Sequence, residues 1–128
     1  MRAKLVKENI GNILKPKSKE DIIKDLSNLS QEAKNKKLFN ASSDGLLNEV
    51  ILLINAGADV NAKNEFGTTA LIKASAYDYI NIVKTLIYSG ADVNAKNHFG
   101  NNALYYASSN DNKVVVDLLK RYGAKEYR

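Results

Sequence analysis

The octapeptide Gly57-Ala58-Asp59-Val60-Asn61-Ala62-Lys63-Asn64 recurs unchanged as Gly90 to Asn97, a step of 33 residues. A fixed period of this length constrains a chain more than any local propensity, because it makes the fold a stack of like units. The same step carries Phe66-Gly67 onto Phe99-Gly100, Ala70-Leu71 onto Ala103-Leu104 and Ala74-Ser75 onto Ala107-Ser108. It also aligns Val50, Val83 and Val116; Leu53, Leu86 and Leu119; and Gly57, Gly90 and Gly123. With 128 residues there is room for one such domain and no second one of ordinary size.

Each unit reads as two helices and a turn. Thr69-Ala70-Leu71-Ile72 opens a short helix in which the small Ala74 and Ser75 permit close packing. A turn follows at Tyr77-Asp78. Ile80, Val83, Leu86 and Ile87 then fall at i, i+3, i+6 and i+7, the apolar stripe of a second helix. Gly90 stands where a left-handed cap ends that helix, a conformation that costs glycine nothing sterically. The polar stretch from Asp92 to Phe99 reads as an extended turn. About seven helices are expected, two per unit and one in front.

These residues resemble the ankyrin-repeat family. Its pattern is a Gly-x-Thr-Pro-Leu-His segment, a pair of small residues, an Ile-Val-x-x-Leu-Leu helix and Gly-Ala-Asp-Val-Asn. Here these stand as Gly67-Thr68-Thr69-Ala70-Leu71-Ile72, Ala74-Ser75, Ile82-Val83-Lys84-Thr85-Leu86-Ile87 and Gly90 to Asn94. Ala70 and Ala103 replace the usual proline, Ile72 and Tyr105 the usual histidine, and Asp78-Tyr79 a common Gly-His pair. The resemblance implies an all-α solenoid of helix-turn-helix units with protruding β-turns. Its repeats run over about 32–64, 65–97 and 98–128, inside a domain of residues 18–128.

The ends of a stack must be adapted to meet water. Ser18 followed by Glu20 and Asp21 reads as a capped helix start, and Ile22, Leu26 and Leu29 follow at i, i+4 and i+7. This cap helix, 18–29, is expected to cover the open face of the first repeat, with Ser30 capping the next helix. At the other end, positions held by Leu46/Tyr79, Leu47/Ile80 and Ile54/Ile87 become Asn112, Lys113 and Lys120. Those changes predict that no further repeat packs there. Residues 1–17 form a basic segment that Pro16 and its flanking lysines set apart from the array; Leu5, Val6, Ile10, Ile13 and Leu14 give it an amphipathic pattern, which Gly11 interrupts as a helix.

Composition removes several chemistries. With no cysteine there is no disulfide framework or thiolate, and the single histidine, His98, excludes a multi-histidine metal site. No apolar run is long enough for a membrane span, and Lys7 and Glu8 interrupt any signal-peptide core, so a cytoplasmic address is expected. The net charge of +5 lies in residues 1–40, where ten Lys or Arg face five acids; nine of each sign follow. Those lysines alternate with acids from Glu20 onward and no aromatic platform precedes Phe39, so nucleic-acid binding is not expected. Lysine and asparagine reach 16 each, a bias that together with the opening Met1-Arg2-Ala3-Lys4-Leu5-Val6 points to a phage or viral source.

Candidate chemistry is sparse. Asp59-Val60-Asn61 starts like a calcium loop, but Lys63, Asn64 and Ala70 stand where that loop needs a ligand, a glycine and a bidentate glutamate. Asp59 and Asp92 are instead expected to accept hydrogen bonds from the turn backbone and from the next unit. A serine–histidine site would pair His98, on a turn, with Ser75 or Ser108, on packed helices; no nucleophile elbow or phosphate loop accompanies them. The expectation is a protein without catalysis, metal or cofactor.

What the ankyrin resemblance implies is recognition of another protein by the turn tips and first helices. By position this marks Lys63, Glu65, Phe66, Lys73 and Tyr77, then Lys96, His98, Phe99, Tyr106 and Asn110, with Asn40 and Asp44 in the first unit. Phe66 and Phe99 could equally fold back and pack. The alternative from another class is a phage or viral effector capturing a small charged molecule or nucleotide, with Lys73, Lys96, His98 and tyrosines as its surface.

Overall fold

Leu38, Leu71 and Leu104 stand 33 residues apart, and each is about 1% exposed. Repetition in the sequence has become repetition in space. The structure, a computed structural model, describes residues 16–126. Seven helices lie within them: α1 (Lys19–Ser27), α2 (Gln31–Asp44), α3 (Leu47–Asn55), α4 (Ala70–Ala76), α5 (Ile80–Tyr88), α6 (Ala103–Ser109) and α7 (Lys113–Arg121). No strand accompanies them among the described residues; a lone antiparallel bridge joins Lys63 to Thr69.

The helices form two layers. α2, α4 and α6 stack along an inner row and α3, α5 and α7 along an outer row, each inner helix also packing on the outer helix that follows it. Between the rows runs one core. Ala41, Ala74 and Ala107 let inner helices approach closely, and Leu53, Leu86 and Leu119 fill the outer side. Burying each such leucine contributes roughly 2 kcal/mol, which no single repeat could gather alone. Val50 and Val83 are fully buried, whereas their third equivalent, Val116, is half-buried on α7.

Local chemistry sets the helix ends. Ser18, Ser30, Thr69 and Asn102 cap α1, α2, α4 and α6 through side-chain oxygens that accept from the third following amide. Between inner and outer helices the chain turns through a left-handed residue: Gly45, Asp78 and Asp111, again 33 apart. Aspartate tolerates that conformation better than most residues, which is how Asp78 replaces the family's glycine. Ser42 and Ser75 are fully buried without a hydrogen-bond partner for Oγ, so small size is what these positions use.

Two expectations about the ends change. The sequence leads one to expect that the cap helix shields the open face of the first repeat, yet α1 packs on α3, in the outer row, and leaves the open side of α2 largely uncovered. It continues one layer of the stack, not both. Asn112, read as a surface replacement, turns back instead: its Nδ2 donates to the carbonyls of Ser75 and Ala76, at 2.9 and 3.2 Å. The equivalent Tyr79 also faces backwards, its ring lying over Gly45. Lys113 and Lys120 are exposed, as their charge requires. The proposed segment 1–17 lies almost wholly outside the described residues; Lys17 within it pairs with Asp25 of α1.

Candidate functional site

The turns linking one repeat to the next project from the inner row as two β-like tips. In each, an asparagine organises the backbone. Asn64 Oδ1 accepts from the amides of Phe66 and Thr68 at 2.9 and 3.0 Å, and Asn97 Oδ1 accepts from Phe99 and Asn101 at 3.0 and 3.1 Å. A backbone bond closes each tip, Asn64 N to Thr68 O and Asn97 N to Asn101 O. Gly67 and Gly100 complete them at φ +73 and +79, a region that L side chains rarely adopt. The tips are joined: His98 N donates to Phe66 O at 2.9 Å, and Lys63 Nζ to Lys96 O at 3.1 Å.

A second set of amides ties the base of each tip to its neighbour. Asn61 Nδ2 donates to Gly90 O while its Oδ1 accepts from Asp92 N; Asn94 does the same with Gly123 O and Lys125 N. The first repeat has no tip before it among the described residues, and its inner helix is longer. There Gln31 donates to Gly57 O and Asn35 accepts from Asp59 N, dividing between two side chains what one asparagine does elsewhere. The expectation for Asp59 and Asp92 is therefore corrected. Their carboxylates accept only within the turn, from Asn61 N and Asn94 N, and the link to the next unit belongs to the asparagines. A side-chain amide carries a donor and an acceptor at once; a carboxylate can only accept.

Below the tips, along the inner helices, runs an open groove. One stretch of about 400 Å³ is lined by Phe39, Phe66, Phe99, Ile72 and Tyr106, with Lys73 among them. It continues past Phe39 and Asn64 into a wider stretch beside α2, edged by Glu32, Lys36, Lys63 and Glu65. Phe66 and Phe99 do not pack away: they are 54% and 73% exposed. The Tyr106 hydroxyl accepts from Asn97 Nδ2 at 2.8 Å, joining the groove floor to a tip.

A sequence model of ankyrin repeats in three copies matches residues 13–97 and, in a second register, 38–127. The chain belongs to the ankyrin-repeat proteins. No curated protein matches it in sequence.

In this ankyrin array the marked residues divide. Phe66, Lys73, Phe99 and Tyr106 meet in the groove, and Glu65 with Lys63 edges its extension. Asn40 lines that extension too, while Asp44 belongs to a different hollow, beside α1. Tyr77 lies outside the groove, at the end of α4, with its ring 5.9 Å from that of Tyr79 and the Lys73 ammonium 5.6 Å from its centroid. Asn110 is exposed and bound to the fold, donating to Ala76 O at 2.9 Å. His98 is exposed at its tip and lies against Gly67; Lys96 is exposed beside it. Ser75, the other half of the serine–histidine idea, is sealed in the inner row, and Ser108 is exposed on α6.

The sequence pattern does not single out every groove residue, and Asn64, Asn97 and Phe39 are the telling cases. Asn64 and Asn97 sit inside the repeated octapeptide, whose identity was the available signal. Phe39 escaped because its equivalents one period on are Ile72 and Tyr105, which share neither its character nor its exposure. On the opposite side, Tyr88 and Tyr122 meet edge-on at 5.9 Å, and the hydrogen bond with Tyr88, followed by burial, raises the Tyr122 phenol above its usual range. No helix among the described residues is long and apolar enough to cross a membrane.

Proposed function

We propose that this array binds another protein along the groove between its tips and inner helices. Ankyrin repeats are generally protein-interaction modules and typically non-catalytic. The observation that carries the reading is the pair Phe66 and Phe99, exposed on tips whose backbones Asn64 and Asn97 hold in place. Exposed aromatics on a rigid backbone lose little freedom on binding, and such side chains are frequent hot spots. Lys73 and Tyr106 on the floor, with Glu65 at the edge, supply polar selectivity around that apolar centre. Tyr77, Lys96, His98 and Asn110 lie outside the groove lining and belong to the rim of the same reading.

Capture of a small charged molecule or nucleotide has less support. Small ligands favour enclosed cavities, whereas this groove is open, and Lys63 and Lys73 already have partners in Lys96 O and the Tyr77 ring. The lysine and asparagine bias supports a phage or viral source, and with it a cytoplasmic host protein as the partner.

The test is position-specific photo-crosslinking in extract of the source cells. With p-benzoylphenylalanine replacing Phe66 or Phe99, a discrete protein adduct is expected; replacing Lys84 or Asp117, exposed on the outer helices, should give none. No adduct at 66 and 99, or equal adducts at all four positions, would remove the groove from the proposal.

A further inference from the structure

Each repeat runs inner helix, short turn, outer helix, and the inner helix precedes. α1 breaks the pairing: it packs on α3 in the outer row, and among the described residues no inner helix stands before it. An apolar groove of about 490 Å³ results, floored by Ile22, Leu26, Ala41, Leu46, Leu52 and Leu53. Leu46 is 43% exposed there, and no residue of α1 is buried. In the order of the fold an inner helix precedes each outer one, and residues 1–15 are the part of the sequence that precedes α1.

We infer that residues 5–14 of the same chain dock in this groove and complete the leading half-repeat. Their pattern suits it. Val6, Ile10, Ile13 and Leu14 fall at i, i+4, i+7 and i+8, which puts four aliphatic side chains on one face. Ten residues in helical form span about 15 Å, close to the length of the nine-residue α1; Gly11 disfavours that helix in isolation but falls off its apolar face, so the helix depends on docking. Only Lys15 to Ser18 separate them from α1, a connection of the same order as Tyr77–Tyr79 between α4 and α5. Charge agrees as well: residues 1–15 carry Arg2, Lys4, Lys7 and Lys15 against Glu8, while the groove rim carries Asp44 and Glu49 against Lys37. Covalent attachment beside the groove gives the segment a high effective concentration over any free competitor.

The absence of cysteine makes the experiment clean, since one introduced thiol is unique. A nitroxide is attached to Asn9→Cys in the full, isotope-labelled chain, and amide signals are compared before and after its reduction. Loss of the signals of Asp44, Leu46, Glu49 and Leu53, with those of α7 intact, is the expected result. Adding Ile10→Asp and Ile13→Asp should restore them while the remaining spectrum keeps its dispersion. Undiminished groove signals in the singly labelled chain would overturn the inference. So would the same loss when spin-labelled protein without isotope is mixed with isotope-labelled protein without spin label, because the occupant would then be a second copy.

Discussion

The tips of the second and third repeats follow the same octapeptide, and their backbones close alike, yet they sit in different surroundings. Gly67 is buried, with the His98 ring drawn across it: a Cβ there would meet His98 Cδ2 at 2.6 Å and His98 N at 3.1 Å. Gly100, in the same left-handed conformation, is exposed and would meet nothing within 4 Å. One sequence makes one turn, and the neighbour decides how much that turn tolerates. Backbone demand is local; steric demand is inherited from the next unit.

Substituting the two glycines separates these demands. Gly100→Ala is expected to cost about 1–2 kcal/mol, the left-handed penalty alone, and Gly67→Ala about 1 kcal/mol more, because the ring must also be displaced. Thermal unfolding of both measures the gap. In a His98→Ala background the gap should narrow, and a double-mutant cycle without that coupling would show that the ring is not the obstacle.

Asn61→Ala comes next, at about 1–2 kcal/mol for two lost hydrogen bonds. It should exceed Asn94→Ala, since Asn61 links two complete tips and Asn94 links a tip to the stretch after α7. Hydrogen exchange provides the check: Asn61→Ala should speed exchange at Asp92, and Asn94→Ala only at Lys125. The smallest effect belongs to Phe66→Ala and Phe99→Ala, which should leave stability within about 0.5 kcal/mol of wild type, as exposed positions do. An early melt for either would mean the aromatic supports its tip.

Periodicity made the two-layer architecture legible before any coordinates, and the cap serines and the asparagine-rich turns fell where the pattern placed them. What it could not convey was direction. Asn112 looks like a surface replacement in an aligned column, because a column does not say which neighbour a side chain faces. The cap helix α1 shows the same limit: its apolar stripe announces burial without stating which row it joins. At the candidate site, Phe66 and Phe99 were visible by position, but their exposure depends on tip geometry that Asn64 and Asn97 impose. Phe39 was hidden for the opposite reason: its equivalents Ile72 and Tyr105 differ from it in size, polarity and exposure, so no aligned column singles it out.

The asparagine ladder also bears on how such a chain can grow. Asn61 offers Gly90 and Asp92 of the second repeat the same donor and acceptor that Asn94 offers the stretch after α7, so each repeat presents the carbonyl and amide that the preceding asparagine requires. A unit spanning residues 65–97 therefore carries both halves of its own joint. Copied in tandem by recombination, it would meet itself with every link satisfied and no compensating mutation. Length, in a molecule jointed this way, is something a genome can change in a single event.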